Sequence, residues 1–228
     1  LRNEMSENTF SPTSGLTGVK TGSCNVITLN MNRIIQNYFR EHVHADDIIA
    51  GECAYLWRDE PTAISEFVTY LTRILQRVYK YHIAYKTMLY EWEARGMFAS
   101  SNGGYINIKD LFSTIGINGL NEAAEFIGLT VSNNPEYIQF LQLVLGTIKE
   151  LNKHYSIHDK KRPYLFNSEV VPAEGLGAKN YNWDKQDGYV VPEDRNLYNS
   201  YFYNAHDNTS VLDKFILHGR QTYQYTDG

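Results

Sequence analysis

Apolar and polar positions along this chain follow two different periods, and the switches between them mark its elements. The first 22 residues are rich in Ser, Thr, Gly, Asn and Pro and read as loop. The β-prone run Val26, Ile27, Leu29 predicts a strand over residues 25–31. Ile34, Ile35, Tyr38 and Phe39 then recur at helical spacing. Asp59-Glu60-Pro61 reads as a helix start. From it a stripe running through Ile64, Phe67, Leu71, Leu75, Val78 and Ile83 predicts the longest helix, reaching roughly to Ala94 and stopped by Arg95-Gly96. Short apolar runs from Ile106 to Ile117 suit a strand. Asn118-Gly119 turns into a short helix over Leu120–Ile127, ended by Gly128.

Pro135 opens another helix, with Tyr137, Phe140, Leu141, Val144, Ile148 and Leu151 on one face. Tyr164–Val171 reads as a buried strand, and Pro172–Lys179 as a turn into a helical start. Residues 181–196 are polar and read as loop, Leu197–Tyr203 as a strand, and Val211–Leu217 as a helix ended by His218-Gly219. Strands and helices alternating in this way predict an α/β fold with a mainly parallel sheet or barrel. No repeat, low-complexity tract or composition shift divides the chain, so residues 1–228 read as a single segment.

A net charge of -5 and a pI near 5.8 argue against a broad nucleic-acid surface, while leaving room for a local basic pocket. No apolar run reaches the length of a membrane span and no signal peptide is visible, so no membrane partner is expected. Two cysteines, Cys24 and Cys53, make no disulfide framework and suit a reducing cytoplasm. The start at Leu1-Arg2-Asn3-Glu4 and the stop at Tyr225-Thr226-Asp227-Gly228 read as the interior of a longer protein.

Candidate chemistry gathers at strand ends, where parallel α/β folds place their sites. Asn30 closes the first strand. Its amide can donate and accept together, which suits a ribose hydroxyl, and it equally suits a cap for the next helix. Pro172-Ala173-Glu174-Gly175-Leu176-Gly177-Ala178 follows a strand and could present bare backbone N–H groups to phosphate. The same residues also make an ordinary tight turn. Glu174 would repel phosphate and fits better as an amide cap or a ribose contact; Lys179 could add charge or simply be solvated. Cys24 and Cys53 read as structural thiols. His42 and His44 near Asp46 and Asp47 offer either a metal cluster or a solvated helix end, the latter favoured. No Ser/His/Asp hydrolase pattern and no phosphate-loop motif is present.

Three segments taken in order resemble the anaerobic (class III) ribonucleoside-triphosphate reductases, which are glycyl radical enzymes. They are Val26-Ile27-Thr28-Leu29-Asn30-Met31-Asn32-Arg33-Ile34 after a Gly/Ser-containing loop, Ile115-Gly116-Ile117-Asn118-Gly119-Leu120-Asn121-Glu122-Ala123, and Val171-Pro172-Ala173-Glu174. Leu197-Tyr198-Asn199-Ser200, the helix at Val211–Leu217 and Thr226-Asp227-Gly228 follow in the same order.

The resemblance implies part of a ten-stranded α/β barrel of the glycyl radical enzyme type. It implies reduction of ribonucleoside triphosphates to 2′-deoxyribonucleoside triphosphates for DNA synthesis. A C-terminal glycyl radical, raised by an activating enzyme with S-adenosylmethionine and an iron–sulfur cluster, oxidises a loop cysteine to a thiyl. The thiyl takes the 3′-hydrogen, water leaves C2′, and formate or a dithiol supplies electrons. Carried over, Asn30 is similar to the ribose-contacting amide. Pro172, Ala173, Gly175, Leu176 and Gly177 resemble the phosphate-cradling loop, with Glu174 beside them. Asn199 and Ser200 resemble the substrate-proximal pair. The family's loop cysteine would fall just before Leu1, and its glycyl radical and structural four-cysteine zinc site beyond Gly228. Cys24 stands where a non-catalytic residue is expected, and the chain alone is expected to be silent. ATP and deoxynucleotide effectors and a homodimer belong to the full protein. Two other classes are kept in view: a formate-lyase-like glycyl radical enzyme and a non-catalytic nucleotide-binding module.

Overall fold

The computed structural model describes residues 22–42, 57, 61–170, 174–204 and 210–226. The side chains of Pro61 and Glu174 are outside that description, as are Cys53, His44, Asp46, Asp47, Pro172 and Ala173. The elements are β1 (Gly22–Asn30), α1 (Met31–His42), α2 (Pro61–Ala94), α3 (Ala99–Asn102), a 3-10 turn (Ile108–Asp110), β2 (Leu111–Asn118), α4 (Leu120–Phe126), α5 (Pro135–Tyr155), β3 (Leu165–Glu169), α6 (Glu174–Gln186) and α7 (Val211–Tyr225).

The sheet is parallel, in the order β1-β2-β3, with Asn30 level with Asn118 and Gly116 level with both Thr28 and Glu169. Residues that are level across a parallel pair share a face, so the register sorts the side chains. On one face Ile27, Leu29, Ile115, Ile117 and Phe166 join the core formed with α1, α2, α4 and α5. The other face holds Val26, Phe112 and Leu165 near its start and is polar toward the strand carboxyl ends, carrying Thr28, Asn30, Thr114, Asn118, Asn167 and Glu169. Hydrogen bonds run across it: Ser23 Oγ lies 2.5 Å from Thr114 Oγ1, Thr114 donates to Asn167 Oδ1 at 2.6 Å, and Asn167 Nδ2 donates to Glu169. Parallel strands buried against helices on both sides are usually apolar throughout. A polar second face instead suits strands that line a polar interior.

Local signals set most boundaries. Asn134 Oδ1 accepts from Tyr137 N–H at 2.9 Å, capping α5 with Pro135 in its first turn. Gly96 takes φ 73° just past α2. Gly119 takes φ 74° between β2 and α4, a left-handed conformation that lets the chain reverse directly from strand to helix. Gly116 is held against β1: a Cβ there would lie 2.4 Å from Thr28 Oγ1.

The structure corrects three expectations. Residues 181–186, read as loop, are the second half of α6. They are polar because α6 buries polar side chains. Leu197–Tyr203, read as a strand, forms bends without a ladder; its backbone bonds instead go to Gly177 and Gly119. The last helix does not stop at His218-Gly219 but runs to Tyr225, because burial of Leu217 and Gln221 carries it past the glycine. No helix among the described residues is long and apolar enough to cross a membrane.

Candidate functional site at the strand carboxyl ends

β1 and β2 end level with each other on two asparagines, the first followed at once by α1 and the second, after Gly119, by α4. Asn30 Oδ1 accepts from Arg33 N–H at 3.1 Å, so Asn30 does cap α1. Its Nδ2 donates to both carboxylate oxygens of Asp184, at 3.1 and 3.0 Å. Asn118 Oδ1 accepts from Asn180 Nδ2 at 2.8 Å. Its own Nδ2 faces Tyr198 O, Asn199 O and Ser200 Oγ at 3.3–3.4 Å.

Both contacts on the far side come from one face of α6. Gly177, Asn180, Tyr181 and Asp184 are its buried residues, spaced i, i+3, i+4, i+7. Asp184 is fully buried and accepts four side chains: Asn30, Arg33 Nε at 2.6 Å, Tyr198 OH at 2.7 Å and, more distantly, Asn32 Nδ2 at 3.4 Å. Such a set satisfies an ionised carboxylate. Tyr198 OH also accepts from Asn32 Nδ2 at 2.7 Å. Burial, with Asp184 beside it, pushes the Tyr198 phenol well above its usual range, so it stays a neutral donor.

The segment around Tyr198 ties the two parts together. Tyr198 N–H donates to Gly177 O at 3.3 Å, and Gly119 N–H donates to Asn199 O at 3.1 Å. Asn199 is buried and donates through N and Nδ2 to Glu122 Oε1, at 3.2 and 2.9 Å. Arg195 reaches the same oxygen at 3.0 Å, and also Glu125. Burial pushes the Glu122 carboxyl up, while Arg195 and the Asn199 donors pull it back.

Of the residues singled out from sequence, Asn30, Gly177, Asn199 and Ser200 therefore lie at one end of the sheet, joined through Tyr198 and Asp184. Gly175 is exposed and Leu176 half-buried on the first turn of α6, which Glu174 begins. Pro172 and Ala173 lie outside the described residues. Cys24 lies at the other end of β1, roughly 20 Å from Asn30 at about 3.3 Å per residue. Its Sγ is 3.8 Å from Ser113 Oγ, beside Leu89, Tyr90 and Ile108. His42 closes α1, its Nδ1 2.7 Å from Tyr38 O.

Among the described residues no group of three His, Cys, Asp or Glu side chains could hold a metal. One cavity of about 340 Å³ lies by His42, Glu66, Tyr70 and Arg73, and another of about 630 Å³ lies on the exposed side of α6 by Lys179, Trp183 and Lys185. Neither touches Asn30 or Asn118. Sequence reading missed Asn32, Asn118, Asn180, Asp184, Glu122 and Arg195 as members of this cluster. Asn32, Asn118 and Glu122 lie inside the family-like segments; for Asn180 and Asp184 the signal was the helical spacing from Gly177 to Asp184, obscured because its residues are polar.

The class these features define is an α/β protein with its candidate site at the carboxyl ends of parallel strands. Comparison with solved structures narrows it. An anaerobic ribonucleotide reductase superposes with a TM-score of 0.71 at 22% identity, over 92% of this chain and 31% of that one. The Thermotoga maritima anaerobic ribonucleotide reductase in complex with dATP and CTP gives a TM-score of 0.72 at 21% identity, over 92% and 32%. The same protein with glycerol in the active site gives 0.70 at 22%, over 91% and 31%. At these identities the likeness is one of fold, and the chain spans about a third of the length of these structures. No curated protein matches it. The model of the family described as anaerobic ribonucleoside-triphosphate reductase matches residues 2–228, and the chain belongs to that family.

Proposed function

We propose that these 228 residues form one segment of the catalytic barrel of an anaerobic ribonucleoside-triphosphate reductase, and that the strand-end cluster supplies part of its substrate site. The observation that carries this reading is the meeting of Asn30, Asn118 and the 198–200 segment against α6 at the carboxyl ends of β1 and β2, in a chain of this family. Support also comes from the polar face of the sheet, which suits a barrel interior. β1 and β3 each keep an edge unpaired among the described residues, where further strands would continue the barrel.

In this reading Asn30 turns the remaining lone pair of Oδ1 to a ribose hydroxyl, its N–H groups being committed to Asp184. The Ser200 hydroxyl accepts from Asn118 and can turn its hydrogen toward the substrate. The backbone N–H groups of Gly175, Leu176 and Gly177, in the first turn of α6, face phosphate in this reading. The radical chemistry would come from a cysteine and a glycyl residue carried elsewhere in the protein, with the activating enzyme, formate or a dithiol, nucleotide effectors, zinc and the homodimer belonging to that whole. The role of this segment is to bind and orient the sugar.

The test is the full-length protein, expressed without oxygen and activated by a radical S-adenosylmethionine enzyme. Activated protein is expected to convert ribonucleoside triphosphates to deoxynucleotides. Asn30→Ala should lower turnover roughly 10- to 100-fold, the loss of one hydrogen bond to the reacting sugar. Activated wild-type protein that shows a glycyl radical by electron paramagnetic resonance and yields no deoxynucleotide would refute the proposal.

A further inference from the structure

We propose that Asp184 is the positioning residue for Asn30, fixing which end of its amide faces the sugar. The inference rests on the reading that Asn30 meets the ribose. An asparagine amide has nearly the same shape in its two flipped orientations, and only its neighbours distinguish oxygen from nitrogen. At Asn30 both ends are read. The Arg33 N–H at 3.1 Å requires the oxygen, and the Asp184 carboxylate at 3.0 and 3.1 Å requires the NH2 group.

Asp184 can impose this because it has no donor of its own and no freedom to move. It is fully buried, held by Arg33 Nε at 2.6 Å and Tyr198 OH at 2.7 Å, and sits on α6 two turns beyond Gly177, whose carbonyl accepts from Tyr198 N–H. Every group directed at it is a donor. With the NH2 of Asn30 turned inward, what half-buried Asn30 offers outward is acceptor capacity alone. At Asn30 the site therefore receives a hydroxyl hydrogen and disfavours a group that can only accept.

Asp184→Asn places an NH2 group among these donors and removes the reason for the Asn30 orientation. The reciprocal exchange Asn30→Asp with Asp184→Asn restores it, since an aspartate at 30 accepts from Arg33 N–H and from the new amide at 184. Three full-length proteins, D184N, N30D and N30D/D184N, are compared with wild type under activation, with glycyl radical content measured in each. D184N is expected to lose roughly 30-fold in kcat with KM for the ribonucleotide within about threefold, as befits a charge-assisted hydrogen bond that orients rather than binds. N30D, which sets two carboxylates together, should be at least as impaired. The exchanged pair should regain about tenfold over either single variant, a recovery that general loss of packing does not produce.

Crystal structures of unactivated wild type and D184N complete the test. In D184N the Asn30 side chain is expected to leave Arg33 N–H. Wild-type kcat in D184N, or an exchanged pair no better than the worse single variant, overturns the proposal. If activated wild type makes no deoxynucleotide, the functional reading fails by itself. The crystal structures then decide the positioning claim, and an Asn30 that keeps its Arg33 and residue-184 contacts in D184N overturns it.

Discussion

Gly175 and Gly177 stand two residues apart on α6, and alanine should affect them in opposite directions. In a helix Gly is ordinarily less favourable than Ala by about 0.5–1 kcal/mol, because the unfolded chain loses more freedom on folding. Gly175 is exposed and has no atom within 4 Å of where a Cβ would stand. Gly175→Ala should therefore stabilise by up to about 1 kcal/mol. At Gly177 the same Cβ would fall 2.5 Å from Tyr198 O, 3.4 Å from Tyr198 N and 3.5 Å from Tyr198 C. The obstacle is backbone, which cannot rotate away as a side chain can. Comfortable non-bonded carbon contacts begin near 3.5 Å, so α6 or the Tyr198 segment must retreat by about 1 Å. Overpacking of this kind costs about 1–3 kcal/mol, and the 3.3 Å bond from Tyr198 N–H to Gly177 O weakens with it. The two alanine variants should thus differ by about 2–4 kcal/mol. Urea unfolding of the full-length protein followed by tyrosine and tryptophan fluorescence measures the difference. A Gly177→Ala protein as stable as Gly175→Ala would refute the packing argument. It would also mean that small size at 177 is needed for something other than Tyr198.

Other expectations concern charge and hydroxyl partners. His82 is fully buried, neither ring nitrogen has a hydrogen-bond partner of good geometry among the described residues, and burial pushes its pKa down to about 4 against the upward pull of the Thr114 backbone. The unfolded chain, with histidine near pKa 6.5, binds the proton first. Stability should thus be intact above about pH 6.5 and fall as pH drops toward 4. His82→Leu should flatten that slope in urea midpoints taken across the range, and an unchanged slope would exclude His82 as its source. Arg195→Ala leaves the Glu122 carboxylate buried without its cation and should cost about 3–5 kcal/mol in denaturant unfolding; a loss below 1 kcal/mol would show that the pair is not closed in solution. Tyr198→Phe removes both the donor to Asp184 and the acceptor for Asn32 Nδ2, and should cost about 1–3 kcal/mol by the same measurement.

Period and punctuation carried the elements that bury apolar side chains. The stripe from Ile64 to Ile83 and the stop at Arg95-Gly96 predict the helix found over Pro61–Ala94. Asn118-Gly119 marks the reversal into Leu120–Phe126, and Pro135 the start of α5. The same rule failed at α6, where the inward face is Gly177, Asn180, Tyr181 and Asp184. A helix that buries amides and a carboxylate shows no apolar stripe, so its second half reads as loop. The rule also failed at Leu197–Tyr203, whose apolar and aromatic residues fill gaps between α4, α6 and α7 without any strand pairing.

Residue order alone was enough for the α/β class, the main helices, two strand ends and the family, because burial of apolar side chains and family motifs are local and additive. It singled out Asn30, Asn199 and Ser200 one by one and left open what each would touch. Only the packed fold shows that Asn30 caps α1 and meets a carboxylate 154 positions away, and that Asn118 joins it from the neighbouring strand. Hydrogen-bond partners in a buried polar cluster are chosen by register and helix placement, which depend on every strand and helix packed at once. No short stretch of residues encodes them.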